Sequence, residues 1–171
     1  MTEPQTLPRY DRAARLAVVQ ALYEIDVTDA PMQRVLDTFG EKRWEALEAE
    51  LAPEHDDEDG EPVVLPIPDQ KRLRAIVRGV QEHLEELDGM VRRHLDSNES
   101  FEQLDGISRA ILRAAAHELS GAHKVPTGTI VSAYVSIAHA FFTDNQPGLI
   151  NAVIDALARE LRGGGQALNA S

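Results

Sequence analysis

Apolar side chains recur every three or four positions along most of this chain, the spacing of one helix face. The first run predicts a helix from about Arg9 to Asp26, with Leu16, Val19 and Tyr23 on one stripe and Val18, Leu22 and Ile25 beside it. Pro8 stands where a helix can begin, because its missing N–H would have no intrahelical partner there. A second helix is predicted from about Met32 to Leu51 on Val35, Leu36, Phe39, Trp44, Leu47 and Leu51, with Gly40 as its weak point. From Asp69 to about Leu95 the residues Leu73, Ile76, Val77, Val80, Leu84, Leu87, Val91 and Leu95 step without a gap. That pattern predicts one helix about 40 Å long at ~1.5 Å per residue. Gly79 and Gly89 inside it mark close packing or a bend.

The polar stretch Asp96-Ser97-Asn98-Glu99-Ser100 reads as a turn and as the boundary between two parts of the chain. Three more helices follow. The first, from Asp105 to about Ser120, carries Ile107, Ile111, Leu112, Ala115 and Leu119, and its alanines at 110, 114, 115 and 116 allow close helix approach. The next two open with proline in the first turn, from Pro126 to about Phe142 and from Pro147 to about Arg162. No strand pattern and no internal repeat occurs. The chain is therefore predicted to be all-α, with about six or seven helices in two small helical subdomains, 9–96 and 97–162. Tails at 1–8 and 163–171 are expected to be disordered.

Charge changes this picture in one place. The 171 residues carry a net charge of −12, which argues against general affinity for nucleic acid. The imbalance is local: residues 1–100 hold 12 basic and 23 acidic side chains, residues 101–171 hold 5 and 6. Much of the excess is Glu54-His55-Asp56-Asp57-Glu58-Asp59-Gly60-Glu61, inside a proline-rich stretch from 52 to 68 that reads as a solvated loop. There is no cysteine, so disulfides, thiolate metal sites and cysteine nucleophiles are absent. No run approaches the ~20 apolar residues of a membrane span, and the N-terminus lacks the layout of a secretion signal. A soluble, cytoplasmic protein is expected.

Candidate chemistry is sparse. Histidines at 55, 83, 94, 117, 123 and 139 form no metal-like spacing, no phosphate loop exists, and no serine sits in a nucleophile elbow, so neither enzyme activity nor a metal or other cofactor is expected. Two features stand out. Arg9, Arg12 and Arg15 lie three apart on the opening turns of the first helix, where they oppose the helix dipole, which makes them a candidate anion site. Phe141-Phe142 closes a helix just before Thr143-Asp144-Asn145-Gln146. One phenylalanine is expected in the core and the other exposed beside Asn145, where a ring and an amide could stack on and hydrogen-bond an unpaired base. The alternative is that both rings pack at a helix corner.

Several stretches resemble a known family. Arg12-Ala13-Ala14-Arg15-Leu16-Ala17-Val18-Val19-Gln20-Ala21-Leu22-Tyr23 resembles the first-helix signature of the NusB family of bacterial transcription antitermination factors. The similarity returns at Leu87-Asp88-Gly89, from Ile107 to Leu119, at Val125-Pro126, from Ala138 to Phe142, and at Asn151-Ala152-Val153-Ile154-Asp155. The resemblance implies an all-α fold without enzyme activity. It also implies binding of boxA-type single-stranded RNA together with NusE, a small-subunit ribosomal protein, within an RNA polymerase antitermination complex. In such proteins the arginine-rich first helix touches RNA, which maps to Arg9, Arg12 and Arg15. Asn151 joins Phe141, Phe142 and Asn145 as a candidate RNA contact, and Tyr23, Glu102 and Ser108 map to the NusE side. The chain departs from the family pattern at Ser132-Ala133, Leu149 and Ala152. The competing reading is an acidic protein–protein adaptor or homodimer on the same fold, with weak or lost RNA binding.

Overall fold

The computed structural model describes residues 9–39, 69–121 and 124–163; the predicted acidic loop, most of the second predicted helix and both tails beyond these limits fall outside the described residues. Among the described residues every regular element is helical. The order is α1 (Arg9–Thr28), α2 (Met32–Thr38), α3 (Gln70–Glu82), α4 (Leu84–Arg93), a 3₁₀ turn (Phe101–Gln103), α5 (Gly106–Gly121), α6 (Thr127–Phe141) and α7 (Gln146–Arg162).

Two helices form the centre. In α1 the residues Ala13, Ala14, Ala17, Val18, Val19, Ala21 and Leu22 are all buried, so the helix is covered on nearly every side. In α5 the run Ala110 to Ala116 is buried without interruption. α1 packs on α5, α3, α2 and α6, while α5 touches α1, α7, α6, α4 and α3. The small alanine side chains let these backbones approach closely enough for one helix to serve several neighbours. Residues from both sides of the 96–100 turn contribute to one contiguous hydrophobic core.

The single long helix expected from Asp69 to Leu95 is two helices. The chain leaves helical geometry at His83 (φ −118°, ψ 26°), whose N–H is shared between the carbonyls of Gly79 and Val80 at 3.2 Å each. Leu87 N then bonds His83 O at 2.9 Å and the helix restarts. Local periodicity survives the break because Val80, Leu84 and Leu87 keep their three- and four-residue steps. What differs is the target: α3 lies on α1 and α5, whereas α4 lies on α5 and α7. Gly79 does mark close packing, since a Cβ there would fall 2.2 Å from His117 Cε1 on α5, whereas one at Gly89 would meet nothing.

Helix ends are chemically specified. Asp69 caps α3 by accepting from Lys71 N (3.0 Å) and Arg72 N (3.3 Å). Asp105 caps α5, taking Ser108 N at 2.9 Å and Ser108 Oγ at 2.6 Å. At the other end of α5, Arg162 donates to the carbonyls of Leu119 (2.8 Å), Glu118 (3.1 Å) and Val125 (2.8 Å). The Glu118 and Leu119 carbonyls are groups a helix C-terminus leaves unpaired, and the guanidinium satisfies both while also holding Val125 beyond the helix.

Candidate nucleic-acid and partner interfaces

α1 and α5 run antiparallel, so the two ends of α1 meet different chemistry. Near its start, Arg15 Nε and Nη2 donate to the two carboxylate oxygens of Glu118 at 2.9 Å each. The Tyr134 hydroxyl of α6 also donates to Glu118 Oε2. Arg15 is 1% exposed and Tyr134 is fully buried. Burial works against the charge on Arg15, but the hydrogen bond and charge of Glu118 outweigh it and leave the guanidinium more basic than usual. Burial first, then the Glu118 charge, pushes the Tyr134 hydroxyl well above its ordinary range, so it stays protonated and remains a donor. The triad ties three helices together.

Arg15 therefore corrects the expectation of an arginine trio facing RNA. Its charge is spent inside the protein because the α1 face at position 15 is covered by α5 and α6. Arg12, one turn earlier, is exposed. Arg9 opens the helix, and its side chain lies outside the described residues.

Beside this end a cleft of about 600 Å³ opens between α3, the last turn of α5 and the segment after it. Arg72, Ile76, His117, Gly121, Lys124 and Val125 line it together with Glu118. Burial holds the His117 imidazole below its ordinary pKa, so it is neutral near pH 7. No sequence signal pointed here, because the walls come from separate helices and no motif joins them.

At the other end of α1 a second ionic network appears. Arg113 Nε and Nη2 hold Asp88 at 2.7 and 2.9 Å, and Arg109 Nε reaches Asp26 at 3.0 Å. Arg92 and Arg113 lie over the Phe101 ring, 4.8 and 5.3 Å from its centroid. Tyr23 is half-buried against Gly106, where a Cβ would fall 2.8 Å from the ring. Next to it Val27 is 54% exposed, the one large apolar side chain so open among the described residues. Glu102 is exposed and pairs with Arg92 at 2.6 Å. Ser108, by contrast, is fully buried and its hydroxyl serves the α5 cap, so its side chain presents nothing to a partner.

The Glu102 contact makes a pH prediction. Hydrogen bonds from Arg92 first and Ser100 second pull its carboxyl from 4.5 to about 2. A depressed carboxyl pKa favours the folded state at pH above about 4.5 and loses that contribution as pH falls toward 2. The group is fully exposed, so the contribution to stability is small. Carboxyl NMR titration should find Glu102 well below the ordinary glutamate value of 4.5, and Arg92→Ala should return it upward; an unmoved midpoint would remove Arg92 as the cause.

Phe141 and Phe142 are both half-buried and packed on the core, which is the helix-corner alternative, and neither is an exposed ring. Phe142 has left the helix for extended geometry (φ −124°, ψ 137°), so the helical spacing that would expose it ends at Phe141. Asn145 and Asn151 are exposed. The Phe141–Asn145 turn sits at the Asp105 end of α5, since Gln146 Nε2 lies 3.3 Å from Asp105 Oδ2. The arginine end and the Phe141–Asn145 turn are thus at opposite ends of α5, separated by roughly 24 Å for a 16-residue helix.

This is an all-α fold of the NusB type. NusB from T. maritima matches it with a TM-score of 0.67 at 24% identity, covering 90% of this chain and 92% of that one. A crystal structure of antitermination factors NusB and NusE in complex with double-stranded RNA matches with a TM-score of 0.64 at 18% identity, covering 90% and 99%. The chain belongs to the NusB family, whose model matches residues 12–159. A transcription antitermination protein NusB from Brucella ovis is 42% identical over 150 residues, covering 88% of this chain and 81% of that protein. Its counterpart from Caulobacter vibrioides is 37% identical over 149 residues, covering 87% and 92%. Among the described residues no helix is long and apolar enough to cross a membrane, and no cluster of three or more histidines and carboxylates could hold a metal ion.

Proposed function

We propose that this protein is an RNA-binding transcription antitermination factor. In this reading it binds boxA-type single-stranded RNA together with NusE and tethers both to the transcribing RNA polymerase in the cytoplasm, with no catalytic role. The observation that carries the reading is family membership: a relative 42% identical over 88% of the chain is named transcription antitermination protein NusB. The geometry supports a division of labour along α1. Arg12, with Arg9 before it, supplies cationic contacts to phosphate at one end. Tyr23, Val27 and Glu102 supply an amphipathic patch for NusE at the other. Arg12 and Tyr23 are separated by about 16 Å along the helix, so both partners can be held at once. RNA reaching from the arginines to Asn145 and Asn151 would run the length of α5.

With a net charge of −12 the free protein repels phosphate, and a basic partner would reverse the local field. Filter binding of boxA-like RNA should therefore be weak alone and tight with NusE. Each arginine on phosphate contributes about 0.7 to the log–log salt slope for single strands. Replacing Arg9 and Arg12 together with alanine should flatten the slope by about 1.4 and weaken all RNA sequences alike, because phosphate contacts carry no sequence information. An unchanged slope would place the RNA elsewhere. An RNA that fails to bind with NusE present would favour the adaptor reading instead.

A further inference from the structure

We propose that the cleft beside the arginine end is covered by the chain's own segment after α7, with Leu168 seated against Ile76 and Val125. The segment acts as a strap from α7 to α3 across the end of α5. The inference is independent of the RNA-binding reading, and neither of its tests uses RNA.

The cleft leaves apolar surface to cover. Its volume is about 600 Å³, and Ile76, Val125 and the neutral imidazole of His117 stand in its wall. The charged groups beside them are committed elsewhere. Arg72 is already engaged, Glu118 is held by Arg15 and Tyr134, and Lys124 is exposed to water. Three observations single out the segment that follows Arg162 as the occupant. The first is position. Arg162 donates to the carbonyls of Glu118 at 3.1 Å and Val125 at 2.8 Å, and both residues line the cleft. The end of α7 is therefore fastened to the cleft wall, and the chain continues from there. The second is reach. Leu168 is six residues beyond Arg162, a span of up to about 20 Å when extended. Gly163-Gly164-Gly165 stands at the exit, and glycine accepts the backbone angles of a sharp reversal that other residues resist. The third is chemistry. Residues 163–171 carry no charged side chain in a chain that is 27% charged, and Leu168 is their one large apolar residue. Composition alone gives such a segment no reason to order, and an adjacent apolar cleft supplies what it lacks. Tethering also favours it over a free competitor, because a short flexible linker holds its end at an effective concentration in the millimolar range. α3 rests mainly on α1 and α5, so a strap from α7 gives it a third hold.

The chain has no cysteine, so an engineered pair reports contact without interference. Gly121 is exposed at the cleft and a Cβ there meets open space, so Gly121→Cys with Leu168→Cys tests the docked position. Ala152→Cys with Leu168→Cys is the control. Ala152 is exposed on α7 about 15 Å from Arg162, inside the segment's reach but not on the cleft wall. Under mild oxidation the Gly121 pair should close within one molecule at least about tenfold faster than the Ala152 pair, because docking raises the local concentration of one thiol beside the other. Equal rates overturn the proposal, since a segment that samples freely meets both positions. A disulfide-linked dimer from the Gly121 pair overturns it as well, and assigns the cleft to the segment of a second copy. The His117 imidazole resonance gives a readout without cysteines. Leu168→Asp should shift it, because a carboxylate does not enter an apolar cleft, whereas Leu168→Met, which keeps the apolar volume, should leave it in place. A resonance unmoved by Leu168→Asp, or moved equally by both substitutions, shows that the leucine does not occupy the cleft.

Discussion

Arg15→Ala is expected to destabilise the fold by about 3–5 kcal/mol, because it strands the buried Glu118 carboxylate without its cation. A loss that size can approach half the stability of an ordinary domain. Urea unfolding should show a lower midpoint with an unchanged slope, since the surface exposed on unfolding stays the same. Exposed Arg12→Ala should leave the midpoint within about 0.5 kcal/mol of wild type. If the two variants unfold alike, the triad with Glu118 and Tyr134 is not what fastens α1 to α5 and α6. The pair also separates two meanings of arginine in this helix: loss of RNA binding in Arg15→Ala would report unfolding, whereas in Arg12→Ala it would report contact.

Tyr23→Asp is expected to weaken association with NusE by at least about 2 kcal/mol, roughly thirtyfold, the scale of an aromatic anchor in an interface. The ring is half-buried against Gly106 and flanks exposed Val27, so it offers apolar area beside the paired, exposed Glu102. An aspartate there would have to be desolvated beneath the partner with no cation placed to meet it. Titration calorimetry against NusE, with circular dichroism as a check on helicity, measures this directly. Unchanged affinity with intact helicity would move the partner surface away from the C-terminal half of α1. Glu102→Ala should have a smaller effect, because its carboxylate is exposed and already paired with Arg92.

The helices that could be read from sequence are those whose signals are local. α1, α5, α6 and α7 fall within two residues of their predicted limits, because each has an apolar stripe and a proline or a capping residue at its start. The break at His83 was not legible, since an apolar stripe with steps of three and four fits one helix or two equally well. The short 3₁₀ turn at Phe101 was too brief to leave a periodic trace. The two phenylalanines left two readings open for a related reason: helical spacing could not say where the helix ends, and it ends at Phe141, with both rings packed on the core.

Helix content, charge imbalance and family membership were all determined by the order of residues, because each depends on neighbours or on a pattern spread along the chain. Which charged groups are structural was decided only by the tertiary structure. Arg15 and Glu118 stand 103 residues apart, and Asp88 and Arg113 stand 25 apart. Nothing near Arg15 distinguishes it from Arg12. The difference is that α5 and α6 cover one position and leave the other in water, and a charge out of water must be paired where one in water need not be. The cleft at Arg72, His117 and Lys124 arose the same way, from separate stretches of chain brought to one place by packing.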